Sequence, residues 1–178
     1  MRKLLNSELG RKTVQQFRDS EKSPFVIVLD NVRSQQNVGS IFRTADAFLA
    51  EAVYLCGITG QPPAREIQKT ALGATETVSW KYFSHTTEAI GQLKSAGYRI
   101  VAVEQAEGST ELQDFEVNPD KRYALIFGHE VNGVSEEVIN MCDECIEIPQ
   151  FGTKHSFNIA VSAGIVLWEL CKDKSGTD

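Results

Sequence analysis

Three short segments carry residues whose types and spacing suit chemistry. The first, Asp30 to Asp46, reads DNVRSQQNVGSIFRTAD. Asn37 stands where it would cap the helix that follows, and Gly39 would let another backbone approach closely. Arg43 lies six residues beyond Asn37, between Phe42 and Thr44. A guanidinium held at a strand-to-helix corner suits phosphate binding. The plainer alternative pairs Arg43 with Asp46 at i,i+3 on the helix surface.

The second segment, Phe127 to Ser135, reads FGHEVNGVS and brackets Glu130 between Gly128 and Gly133. Two glycines around a carboxylate after a strand suit a tight loop with open backbone N–H groups. The third glycine of a dinucleotide fingerprint and the Lys-Ser/Thr of a phosphate loop are missing. A plain strand-to-helix turn remains the alternative. The third segment, Ile148 to Gly164, reads IPQFGTKHSFNIAVSAG, a polar loop running into an apolar helix. Ser156 is expected to cap that helix. Asn158, a carboxamide in its first turn, must find hydrogen-bond partners.

The four cysteines contribute little. Cys142-x-x-Cys145 has metal-ligand or redox spacing, but no second pair accompanies it and no metal is expected. Cys56 and Cys171 read as small core residues.

The elements that position these segments follow from apolar runs and their punctuation. Phe25–Leu29, Val53–Cys56, Arg99–Val103, Tyr123–Phe127 and Cys145–Ile148 read as strands, with Val78–Tyr82 a shorter one. Ile41–Ala50, Thr86–Ala96, Ser135–Met141 and Phe157–Lys172 read as helices, as does the charged stretch 1–22. Strands apolar on both faces, alternating with helices, predict an α/β fold: a mostly parallel sheet covered by helices on both faces. Ligands of such sheets bind beyond the carboxyl ends of the strands. Each of the three segments directly follows a strand, so all three are expected at one end of the sheet.

The chain has 178 residues, 42% hydrophobic and 24% charged, the profile of one globular domain, and whole-chain disorder is excluded. The expected division is a basic helical extension over 1–22, one domain over 23–174 and a tail at 175–178. The most apolar stretch, Phe157 to Cys171, is broken by Asn158, Ser162 and Glu169 and falls short of the ~20 residues a membrane span needs. No signal-peptide run opens the chain, so a cytoplasmic location without membrane contact is expected. Net charge is −6, but residues 1–103 carry 13 Lys/Arg against 9 Asp/Glu, whereas residues 104–178 carry 5 against 15. Such asymmetry fits an electrostatic footprint on one face, or simply the solvated faces of an acidic protein.

Taken in order, the segments resemble the three signature motifs of the SpoU (TrmH-type) RNA ribose methyltransferases of the SPOUT class. Asn37, Gly39, Arg43 and Thr44 meet N-x-G-x-x-x-R-T. Phe127, Gly128, Glu130 and Gly133 meet F-G-x-E-x-x-G. Ile148, Pro149, Gly152, Ser156, Asn158, Val161 and Gly164 meet the third, and Lys69 to Ala74 is also similar to a family segment. The chain departs at Gln150, where Met is usual, at Phe157, where Leu is usual, and over Ile159–Ser162.

The resemblance implies a C-terminal trefoil knot, against the default of unknotted chains, and a homodimer packed through the last helix and the first motif. It implies S-adenosylmethionine as cofactor, contacted by Gly128, Ile148 and Phe157 with Gly133 shaping the loop. The implied reaction is methyl transfer to a ribose 2′-hydroxyl of a structured RNA, transfer RNA ahead of ribosomal RNA. Arg43 is the implied catalytic residue, with Asn37, Glu130, Ser156 and Asn158 fixing it and the ribose. Arg33, Arg11, Lys12 and Arg18, with Arg65 and Lys69, are the candidate phosphate contacts. A non-catalytic binding module of the same fold stays open. A nicotinamide-dependent oxidoreductase does not, because Asp30–Gln36 lacks the required G-x-G-x-x-G.

Overall fold

The computed structural model describes residues 1–172. Seven strands form one parallel sheet: β1 (Ser23–Asp30), β2 (Ala50–Cys56), β3 (Ser79–Phe83), β4 (Tyr98–Val103), β5 (Thr110–Glu111), β6 (Arg122–Phe127) and β7 (Glu144–Glu147). Their spatial order is β3-β2-β1-β6-β4-β7-β5. Parallel strands need crossovers, and α2 (Gln35–Ala47), α3 (Arg65–Ala71), α4 (Ala74–Thr77), α5 (Thr86–Ser95) and α6 (Glu136–Ile139) lie in them, whereas α1 (Val14–Asp19) precedes the first strand and α7 (Ile159–Cys171) follows the last.

Alternation along β1 divides the core into two layers. Ile27 and Leu29 face Ile41 and Phe42 of α2, Ile67 of α3 and Leu167 of α7. Val26 and Val28 face Ile90 and Leu93 of α5 and Val138 of α6. The central strands are buried on both sides, which is why they read as continuous apolar runs. The expected α/β architecture holds, with helices on both faces. No helix among the described residues is long and apolar enough to cross a membrane.

Local expectations needed correction. The stretch 1–22 is not one helix. It holds a 3-10 turn at Asn6–Glu8 and the six-residue α1, separated by Gly10 at φ +57°. Thr13 starts α1 through a capping box with Gln16, and only Phe17 is buried. Helix α2 begins at Gln35, six residues before the expected start. Ser34, not Asn37, is its cap: the Ser34 hydroxyl accepts the Asn37 N–H at 3.2 Å. Polar Gln35, Gln36 and Asn37 form a first turn, exposed at the two glutamines, that apolar periodicity does not register. Likewise α7 starts at Ile159, capped by Asn158 rather than by Ser156. The two-residue β5 carried no sequence signal. The expected tail 175–178, and the end of the expected domain at 174, lie outside the described residues.

Gly39 acts as expected. A Cβ there would lie 2.1 Å from Thr70 Oγ1 and 2.3 Å from the Ile67 carbonyl, so only glycine lets α2 and α3 pack this closely.

Candidate active site

The carboxyl ends of β1, β6 and β7 bring the three segments together, and a chain of polar contacts joins them. Glu130, three residues past β6, reaches across to the start of α2. Its carboxylate accepts the N–H groups of Arg33 (3.0 Å) and Ser34 (2.9 Å) and the Asn37 carboxamide (3.2 Å). Asn37 Oδ1 in turn accepts from Asn158 Nδ2 at 3.1 Å, and Asn158 Oδ1 accepts the Ala160 N–H at 2.9 Å. Partial burial opposes ionisation of Glu130. The N–H groups of Ser34 and Arg33, its own N–H and Asn37 together outweigh it and hold the carboxyl below the usual carboxylate range. Asn37 and Asn158 have therefore found partners in each other, at the mouth of the site and not inside the core.

The loop after β6 is closed more tightly than the sequence suggested. A Cβ on Gly128 would lie 2.1 Å from the Gly133 carbonyl carbon, so two backbone segments touch there. Gly133, at φ +65°, leaves room for Glu104, whose Oε2 would be 2.1 Å from any Cβ. The expected open N–H groups are not open. His129 Nδ1 accepts from Val131 and Asn132, and the His129 carbonyl accepts from Gly133. Val134 donates to Glu104 Oε2 at 2.9 Å, and Ser135 to the buried Asp30 at 3.3 Å. Acceptors within the protein occupy all five donors, so this stretch is no anion cradle.

Beside this loop lies a cavity of about 550 Å³. Gly128, Glu130, Gly133, Ile148, Ser156, Phe157 and Asn158 all line it, together with Glu104, His129 and Glu147. No Lys or Arg does. A smaller cavity of about 420 Å³ adjoins it and shares Gln105, Glu147, Ile148, Gln150 and His155.

Arg43 is not brought to this cavity. At 3.6 residues per turn it points about 120° round α2 from Asn37, exposed, with no hydrogen bond or ion pair among the described residues. The surface pair with Asp46 does not form either, because Asp46 takes the Thr77 hydroxyl. Arg33 contributes its backbone N–H and leaves its side chain exposed. Arg11 and Lys12 are exposed in the stretch before α1. Arg18 is already engaged, donating to the Glu76 carbonyl at 2.8 Å and tying α1 to α4. Arg65 and Lys69 lie exposed along α3.

Both thiols of the CxxC pair are engaged within the protein. Cys142 donates to the Val138 carbonyl and Cys145 to that of Glu104. Burial pushes the Cys142 thiol up to about 11 and raises Cys145. No cluster able to hold a metal ion occurs among the described residues. Sequence reasoning missed Glu104 and Glu147, though each is a carboxylate at the end of an apolar strand, the place where such sheets bind ligands.

Comparison with known proteins follows the same residues. Residues 24–168 match the SpoU rRNA Methylase family. A 23S rRNA (guanosine-2′-O-)-methyltransferase, RlmB, of Neisseria meningitidis serogroup B is 32% identical over 146 residues, 82% of this chain and 57% of its own. A tRNA (guanosine(18)-2′-O)-methyltransferase of Thermus thermophilus is 29% identical over 163 residues, covering 92% of this chain and 82% of that one. The AdoMet-bound rRNA methyltransferase from Sinorhizobium meliloti superposes with a TM-score of 0.80 at 30% identity, over 88% of this chain and 60% of that one. The chain spans about three-fifths of the length of the curated relatives it matches first, 64% and 57%.

Proposed function

Because the chain belongs to the SpoU rRNA methylase family, we propose that it is an S-adenosylmethionine-dependent RNA methyltransferase that modifies a ribose 2′-hydroxyl. The observation that carries this reading is the chain Glu130–Asn37–Asn158 at the mouth of the cavity, which joins three loops from distant parts of the sequence.

The cavity fits the cofactor. Its volume lies within the ~300–1,000 Å³ of small-molecule sites, and Gly128 and Gly133 stand where side chains would deform the loop that walls it. Carboxylates without a compensating cation suit a ligand with a sulfonium and an ammonium group. When bound, S-adenosylmethionine supplies an electrophilic methyl group. Gly128, Gly133, Ile148 and Phe157 would hold it.

The chain's own residues supply placement and charge. Glu130 is ionised, but its oxygens are occupied by Arg33, Ser34 and Asn37, so its role is to hold α2 against the loop. Asn37, Ser156 and Asn158 orient the ribose. Arg43 clamps the neighbouring phosphate and stabilises the developing alkoxide. An arginine in a protein stays protonated, so the hydroxyl proton leaves to the phosphate or to water.

Arg43 does not line its own chain's cavity, which supports a homodimer sharing its sites. Val161 and Trp168 of α7, which packs on α2, are 49% and 65% exposed, an apolar surface of the kind that pairing covers. The strand order supports the implied knot. β4 and β5 are consecutive in sequence, yet β7 lies between them, so the intervening segment must cross over β7. Transfer RNA is put ahead of ribosomal RNA as the substrate, and the relatives include one enzyme named for each.

The test is methyl transfer from labelled S-adenosylmethionine to size-fractionated total RNA, with wild type and Arg43→Ala. Label in transfer RNA as 2′-O-methylnucleoside, lost in the variant, is the expected result. Label in large RNA would overturn the substrate, and no label on any RNA would overturn the enzyme.

A further inference from the structure

The cavity holds three carboxylates, and their surroundings differ. Glu130 is occupied by two N–H groups and the Asn37 carboxamide. Glu104 is occupied as well: Oε1 accepts the Gln105 N–H and Oε2 the Val134 N–H, both at 2.9 Å. Glu147 has nothing. It ends β7, is half-buried, lines both cavities, and makes no hydrogen bond or ion pair among the described residues. Lys154, the one cation lining the smaller cavity, forms no ion pair with it. Glu111, its register partner on β5, has its own carboxylate turned to Gln113.

No buried side-chain oxygen among the described residues lacks a partner, so the Glu147 carboxylate is open to the cavity and free to accept from whatever occupies it. Glu147 stands next to Ile148, at the junction of two cavities that no arginine lines. We propose that Glu147 is a specificity-determining residue of the cofactor cavity, its carboxylate accepting from a donor group of the bound cofactor. This rests on the S-adenosylmethionine reading above. Two parts of that molecule offer donors: the cationic methionine end and the neutral hydroxyls and amine of adenosine. Glu104 and Glu130 are already engaged by the protein's own donors, and the Glu147 carboxylate is not.

Isothermal titration of the full chain with S-adenosylmethionine, S-adenosylhomocysteine and adenosine separates the outcomes. Glu147→Gln keeps the size and removes the charge. It should bind S-adenosylmethionine about tenfold more weakly, the scale of one charge-assisted hydrogen bond. The thermal midpoint of the ligand-free protein should not move, since no contact within the protein is lost. A loss for S-adenosylmethionine and S-adenosylhomocysteine that spares adenosine would assign Glu147 to the ammonium of the methionine end. An equal loss for all three ligands would assign it to adenosine. Unchanged affinity for all three would overturn the proposal while leaving the cofactor reading intact. A wild type that binds none of them would overturn that reading too.

Discussion

The carboxylate-lined cavity and the α2–α3 face treat charge in opposite ways. In the cavity, Glu104 and Glu130 are held by the protein's own N–H groups, and only Glu147 is left without a partner. Just before α2 and along α2 and α3, Arg33, Arg43, Arg65 and Lys69 are all exposed and none has an ion pair among the described residues. In the first region the protein's own donors fix two of the three carboxylates. The second is a set of exposed cations with no carboxylate partner among the described residues. The uneven charge of the two halves of the sequence is thus an arrangement in space: basic residues on the helices after β1 and β2, acidic ones at the ends of β4 and β7. Net charge alone would have hidden both.

The largest expected effect breaks the basic side. Arg43→Ala should lower methyl transfer by at least ~10²-fold, the scale of removing one preorganised group that stabilises developing charge. Cofactor affinity should not change, because Arg43 does not line the cavity of its own chain. Arg43→Lys separates a forked clamp from a bare charge: near-normal activity would reject the fork. Mixing Arg43→Ala with an inactive Asn158→Ala chain tests sharing between copies. With random pairing of a two-fold dimer, about a quarter of the wild-type activity should return, and none should return if each site is built from one chain.

Gly128→Ala comes next and breaks the acidic side. A Cβ 2.1 Å from the Gly133 carbonyl carbon meets backbone that cannot rotate away. The loop must shift, at about 1–3 kcal/mol for overpacking of this kind. S-adenosylmethionine binding, read by calorimetry, should weaken at least tenfold. Unchanged affinity would mean that this loop does not wall the cofactor site.

These outcomes bear on how far the sequence could be read. The core strands were legible because a buried parallel strand must be apolar on both faces, as Val26 to Leu29 are. The three loops were legible because glycines and carboxamides clustered with a charge just after a strand are unusual together, where a single strand-end charge is not. Their internal wiring was not. Nothing local distinguishes Ser34 from Asn37 as the cap of α2, and the choice is made by Glu130, 93 residues beyond Asn37. The N–H groups of residues 131–135 looked open because the acceptors that close them, His129, Glu104 and Asp30, arrive by folding. Glu147 was overlooked because strand-end charges are common and only the cavity makes this one unusual.

Glu130 offers a smaller, pH-resolved effect on the link between the two regions. Its folded-state pKa is lowered, so its contribution to stability is present above the ordinary carboxylate value of about 4.3 and is lost as pH falls through the lowered one. The thermal midpoint of wild type should therefore fall more steeply than that of Glu130→Gln below about pH 4.3. The two curves should run parallel from pH 6 to 8. Parallel curves throughout would mean that the hydrogen bonds from Arg33, Ser34 and Asn37 do not favour the ionised form.

The smallest effects belong to single cations on α3. Lys69→Ala or Arg65→Ala should each weaken RNA binding modestly and evenly across sequences. Each should also lower the slope of log affinity against log salt by about one, the signature of one phosphate contact removed. Arg18→Ala is the informative control. Its guanidinium is bound to the Glu76 carbonyl, so the substitution should loosen the docking of α1 on α4 and leave the salt slope nearly unchanged. If Arg18→Ala lowers the slope while Arg65→Ala and Lys69→Ala do not, RNA lies along the N-terminal segment. The basic face of α2 and α3 would then serve pairing between copies, and the two regions contrasted above would meet at one dimer interface.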